Sequence, residues 1–193
     1  MGKYKKQWGL AALLCALALP AMVTATVVRH MNLDTLSENA GVIFRGTVIG
    51  MKTGTVEVGG SELPTTTYSF RVAEMFKGEP TTTKNGQDYL TVTMLGSPKA
   101  SNDEGDSVHF NVLYDVPRLL KNSEYLLFVT PESSVGLTMT VGLQQGCFDL
   151  FGSMALNRAQ NVGLFDGTAA GGPAGGPIDY RDLADRIRAS LGT

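Results

Sequence analysis

The chain has 193 residues, 16 Lys or Arg against 18 Asp or Glu, and 43% hydrophobic residues. That length suits one domain with a real core. The slightly acidic balance argues against a binder of nucleic-acid backbones, which needs clustered lysine and arginine, and against a polybasic face for anionic lipid.

The first 25 residues read as a signal peptide. Lys3, Lys5 and Lys6 form a basic n-region, and Trp8 to Leu19 is an apolar stretch too short to span a bilayer. Val23-Thr24-Ala25 supplies the small residues of a cleavage site, placed after Ala25. An uncleaved anchor is the alternative, opposed by Pro20 and the short apolar run; Leu14 is too bulky to precede a lipidated Cys15. The expected product is exported, periplasmic or extracellular, with no stable membrane anchor. Cleavage removes three lysines and no acid, leaving 13 basic against 18 acidic residues and Cys147 as the single cysteine. One cysteine forms no internal disulfide, so the fold must be held by its core.

Residues 26–165 are expected to form the globular domain. Met31 to Ala40 reads as a short helix, capped by Asn32 or Asp34, with Leu33, Leu36 and Ala40 at helical spacing and Gly41 ending it. A long strand follows from Ala40. Val42, Phe44 and Val48 face one way and Ile43 and Ile49 the other, with Gly46 in the middle, where a missing side chain permits a bend or a close backbone approach. The Gly-rich TGTVEVGGSELP after Lys52 is read as a small hairpin or a loose loop. Strand two has Tyr68, Phe70 and Val72 on one face and Thr67, Ser69 and Arg71 on the other, ending at Phe76-Lys77-Gly78. Strand three alternates Leu90, Val92 and Met94 with Thr91 and Thr93.

Gly96 to Asn122 is a long irregular connection, the kind that is usually functional or disordered. Strand four, Glu124 to Thr130, is apolar on both faces. Strand five covers Leu137 to Val141, and Gly146 to Phe151 continues it after a bulge at Gly142 or Gly146. Asp166 to Pro177 is a Gly/Ala/Pro linker. The segment 178–193 is an amphipathic helix with Tyr180, Leu183, Ile187 and Leu191 on one face. Arg181/Asp185 and Asp182/Arg186 pair at i,i+4 on the other. Its apolar stripe is expected to pack on the domain's own flank in preference to a partner. The resulting fold is mainly β: a five-stranded Greek-key barrel of the OB type with a short N-terminal helix and a C-terminal amphipathic helix. An immunoglobulin-like sandwich would need more strands.

Three phrases carry a resemblance. They are the N-terminal helix leading to Ala40-x-Val42 with Arg45-x-x-Val48, then Tyr68-x-Phe70-x-Val72 with Phe76-Lys77-Gly78, and finally Tyr125-Leu126. Together they resemble the netrin-module family, which includes the tissue inhibitors of metalloproteinases, and a group of exported bacterial proteins with the same Phe-Arg-Gly and Phe-Lys-Gly phrases. The resemblance implies an OB barrel and a protein partner. Those inhibitors chelate the protease zinc through an N-terminal cysteine. Here the cleaved chain would begin at Thr26, so that chemistry transfers to no residue.

No catalytic, cofactor or metal residues emerge. His30 and His109 have no partner at metal-ligand spacing. Ser153 lies in FGSMAL, which is not a nucleophile elbow, and the glycines from Gly171 to Gly176 lack the Lys-Ser/Thr of a phosphate loop. Asn102, Asp103, Glu104 and Asp106, with Gly105 among them, are the nearest approach to a cation site but fit no EF-hand spacing, so a solvated loop is the simpler reading. Cys147 is read as either a buried small hydrophobe, the favoured reading, or an outward thiol beside Asp149. The aromatic residues Tyr68, Phe70, Phe128 and Phe148 are read as core and not as a base-stacking platform. The expected function is an exported, non-enzymatic OB-fold module that binds another protein, with a secreted or envelope protease as the partner class. The rivals are an unrecognised hydrolase or metal-dependent enzyme, and a structural envelope component that docks through its C-terminal helix.

Overall fold

A computed structural model describes residues 30–96, 116–168 and 171–192. The expected signal peptide and cleavage site, His109 and the Asn102–Asp106 cluster lie outside the described residues. Helix α1 (Leu33–Asn39) starts where Asn32 accepts a hydrogen bond from the Thr35 amide at 2.9 Å, which satisfies one of the free donors of the first turn. It stops at Ala40, whose backbone is already extended.

Strands β1 (Val42–Val58) and β2 (Ser61–Lys77) form one long antiparallel hairpin, from Ile43↔Lys77 to Val58↔Ser61. The Gly-rich segment read as a small hairpin or loop is the far end of this hairpin. Its tip is Gly59-Gly60, with φ of +59° and +80°, the mirror-image turn that matches strand twist. Strands β3 (Thr82–Lys84) and β4 (Gln87–Leu95) form a second hairpin through Asn85-Gly86, again both at positive φ. Strand β4 pairs with β2 only from Thr65 to Arg71, and β5 (Glu124–Val129) pairs with β1 only from Val42 to Thr47. The outer part of the β1–β2 hairpin therefore projects as a two-stranded ribbon. Strands β6 (Cys147–Phe151), β7 (Met154–Asn157) and β8 (Ile178–Asp179) complete the sheet, and helix α2 (Tyr180–Leu191) follows β8 directly.

Among the described residues the sheet has eight strands, all antiparallel, in the order β3-β4-β2-β1-β5-β6-β7-β8. It is not a closed barrel, and the expected strand count of five is too low. Leu137–Val141 does not form a strand. Only Thr140 bridges to Val129 there, while the Thr138 amide donates to the Thr93 carbonyl and the Thr130 amide to the Met139 carbonyl. Gly146–Phe151 does not continue that segment; it supplies β6, which has its own hairpin partner, β7.

The middle of the sheet is buried on both faces. Tyr125 to Val129 are all buried and alternate between two cores. One core, under the helices, holds Leu36, Ile43, Leu126, Phe128, Phe148 and, from α2, Leu183 and Ile187. The other holds Phe44, Val48, Phe70, Val92, Met94 and Leu127, with Phe44 and Phe70 edge to face at 4.9 Å. Each such side chain contributes roughly 1.5–3 kcal/mol on burial. Helix α2 thus spends its apolar face on the chain's own sheet. Ile49, read as the partner of Ile43, is exposed because the ladder shifts register between Val48 and Gly50.

The described part of the Asp166–Pro177 segment is pinned. Arg186 donates to the Gly171 carbonyl, Gly172 lies against the Phe165 ring, and Gln160 accepts from the Gly176 amide. Buried Asn157 and Asn161 each accept from the other's backbone amide, and Asn161 also donates to the Gly176 carbonyl at 2.8 Å. This reciprocal pair satisfies the polar groups of a tight turn that the core would otherwise leave unpaired.

Candidate functional site

Where α2 leaves β8, its first turn faces the end of the sheet, and a cavity of about 330 Å³ opens between them. Arg45 of β1 and Glu124 of β5 reach it from neighbouring strands, diagonal to one another across the Arg45↔Leu126 and Thr47↔Glu124 pairs. Leu150 and Met154 supply apolar wall, and the tight β6–β7 turn brings Gly152 and Ser153 to the rim. Tyr180 and Arg181 come from the start of α2, held there by the Tyr180 amide, which donates to the Ser153 carbonyl at 2.7 Å.

The polar groups form a chain. Arg45 grips Glu124 in a fork, Nε to Oε1 at 2.8 Å and Nη2 to Oε2 at 3.1 Å. Both side chains are about one-third exposed, so the pair fixes geometry more than it adds stability. The hydrogen bonds that Arg45 donates to Glu124 raise the guanidinium's pKa above its ordinary value, against some loss from burial. That guanidinium also lies 4.5 Å from the centre of the Tyr180 ring, in cation–π contact. Tyr180 Oη donates to Glu74 Oε2 at 2.5 Å, and Glu74 is in turn paired with Arg188. Burial first, and then the carboxylate it serves, push the Tyr180 phenol well above its usual value, so it stays a neutral donor.

One cation is left over. The i,i+4 spacing pairs Arg181 with Asp185, but Asp185 instead accepts from Arg188 Nη1 at 2.7 Å. The Arg181 side chain has no ion-pair or hydrogen-bond partner among the described residues, and it lines the cavity. The other expected pair, Asp182 with Arg186, forms at 3.0 Å. Arg45 and Glu124 cancel, so the cavity carries one net positive charge beside an apolar wall.

The residues singled out from sequence fall elsewhere, with one exception. Ser153 sits at the rim with no imidazole in the lining; His30, the one histidine among the described residues, is exposed and outside it. Cys147 is buried in the core opposite the helices, and burial pushes its thiol up to about 12, which removes it as a nucleophile. Alternation does put Cys147 on the face opposite Phe148 and Leu150, but that face is covered by the second core at this end of β6. Tyr68, Phe70, Phe128 and Phe148 are all buried, so they offer no surface for bases. Among the described residues no three His, Cys, Asp or Glu side chains converge as a metal-ligand set, and no helix is long and apolar enough to cross a membrane.

Arg45, Glu124, Tyr180 and Arg181 were not readable as a group. They come from three elements separated by 50 residues or more of chain, and no periodicity links them. The available signal was Arg181 itself, a helix-start arginine with two acids competing for two other arginines downstream. The arrangement can hold an anion in a fixed frame; it contains no base poised on a nucleophile. No protein-family profile matches the chain, and a search of curated proteins finds no match.

Proposed function

We propose that this chain is an exported, non-enzymatic module that binds another protein, built on an OB-type core. The bonds of Thr138 to Thr93 and Thr130 to Met139, which set the 137–141 segment between β4 and β5, support the OB reading. The partner class, a secreted or envelope protease, rests on the netrin-module resemblance alone. The observation that carries the binding reading is the cavity. Its charged groups are tied to one another in a rigid frame, and Arg181 is left to face outward. Preorganised donors beside an apolar wall suit recognition.

The hydrolase reading has Ser153 at the cavity in its favour, but the lining holds no imidazole and its one carboxylate, Glu124, is engaged through both oxygens by Arg45. The helix-docking reading is weakened because Leu183 and Ile187 are spent on the internal core. Immobilised protein should capture a partner from an envelope extract saturably, with competition by free protein, and should show no turnover in a broad hydrolase screen. Turnover abolished by Ser153→Ala would replace this reading with an enzymatic one.

A further inference from the structure

We propose that the Arg45–Arg181 cavity captures the C-terminal carboxylate of a partner polypeptide whose last side chain is apolar. The inference rests on the protein-binding reading and names the part of the partner that is read. Glu124 takes Nε and Nη2 of Arg45, and the guanidinium lies over the Tyr180 ring, so Arg45 is a fixed cation and not a swinging one. Arg181 adds a second guanidinium whose charge nothing among the described residues neutralises. Planar guanidinium groups match carboxylate oxygens, and the single net positive charge matches a monoanion. A phosphate dianion would set its second charge against Glu124.

The apolar wall narrows the ligand further. Leu150 and Met154 face the same small space as the two cations. A chain terminus carries its carboxylate and its last side chain on one carbon, so one residue satisfies both walls. An Asp or Glu side chain brings the carboxylate without the apolar group. About 330 Å³ is at the small end of ligand sites, enough to admit a terminal residue with its carboxylate. Gly152 at the rim leaves room for the partner's backbone to enter.

The test uses N-acetyl-Ala-Ala-Leu as the free acid and as the C-terminal amide, titrated into the folded chain while NMR follows the backbone amides. The free acid should move the signals of Ser153, Met154 and Arg181 saturably, and the amide should bind about tenfold more weakly or worse, the worth of one charge-assisted hydrogen bond. Arg181→Gln should lose about the same factor for the acid with its melting temperature unchanged, because Arg181 is exposed and unpaired. Equal binding of acid and amide, no binding of either at millimolar peptide, or an unaltered Arg181→Gln would overturn the inference. Partner capture that survives in Arg181→Gln would overturn it while leaving the protein-binding reading intact. Selective acid binding with no capturable partner would sustain it and sink that reading.

Discussion

Gly46 and Gly50 lie four residues apart in β1, yet alanine should act on them with opposite sign. A methyl group at Gly46 would lie 2.9 Å from the Arg71 carbonyl oxygen and 3.3 Å from the Phe44 ring. The carbonyl belongs to the β1–β2 ladder at the Thr47↔Arg71 pair, next to a register shift, so the backbone cannot yield without disturbing the hairpin. Overpacking of this kind costs roughly 1–3 kcal/mol. Against it stands a gain of about 0.4–1 kcal/mol, because alanine restricts the unfolded chain. The net is a loss of about 0.5–2 kcal/mol, or about 2–6 °C in Tm for a domain of this size. At Gly50 the added methyl meets only Ser69, Cβ at 3.6 Å and Oγ at 3.8 Å, which is ordinary contact. There the unfolded-state gain stands alone, and Tm should rise by about 1–4 °C. Thermal and urea unfolding followed by circular dichroism reads both variants. A Gly46→Ala protein as stable as the parent, or two variants shifting in the same direction, would refute the close-approach account of Gly46.

Ile187→Ala should cost about 2–5 kcal/mol, since its side chain is fully buried between α2 and the sheet, and truncation after Gly167 should lower Tm by more. Tyr180→Phe should remove a source of alkaline sensitivity. The folded pKa of Tyr180 is raised, so its stabilising contribution is complete below the unfolded value near 10 and is lost as pH climbs through the folded value; urea midpoints from pH 9 upward should fall less steeply in the variant. Cys147 should resist iodoacetamide in the native protein and react on unfolding. Its thiol, raised from an ordinary 9.0 to about 12 by burial, adds a further stability loss across that pH window.

The parts of the fold that were legible are those where one periodicity dominates. Tyr68-x-Phe70-x-Val72 and Leu90-x-Val92-x-Met94 alternate because only one of their faces is buried, and Leu183 and Ile187 mark α2 because the opposite face is charged. Reading failed where both faces are covered or the strand is very short. The run from Cys147 to Phe151 is only five residues long and is read as the tail of an earlier strand, and Met154–Asn157 is four residues long. Asn85-Gly86 is an explicit hairpin signal in the sequence, and the fold uses it as the β3–β4 turn. The cavity stayed hidden because its chemistry depends on which acid each arginine selects. Local spacing assigns Asp185 to Arg181, whereas the fold brings Glu74 and Asp185 to Arg188 and leaves Arg181 alone.

The two cores differ in when a growing chain can complete them. The core built on Phe44, Phe70 and Val92 closes once Cys147 has been made, but the one under the helices needs Leu183 and Ile187, a few residues from the end of the sequence. Until then Ile43, Leu126, Phe128 and Phe148 form a sheet face covered only in part, by α1 and by Val141, Leu164 and Phe165. A chain halted before α2 is therefore half-finished and adhesive, a substrate for holding factors and for self-association. Docking of α2 onto the sheet therefore decides between a monodisperse product and aggregate, and whatever slows that docking acts on yield before any question of binding arises.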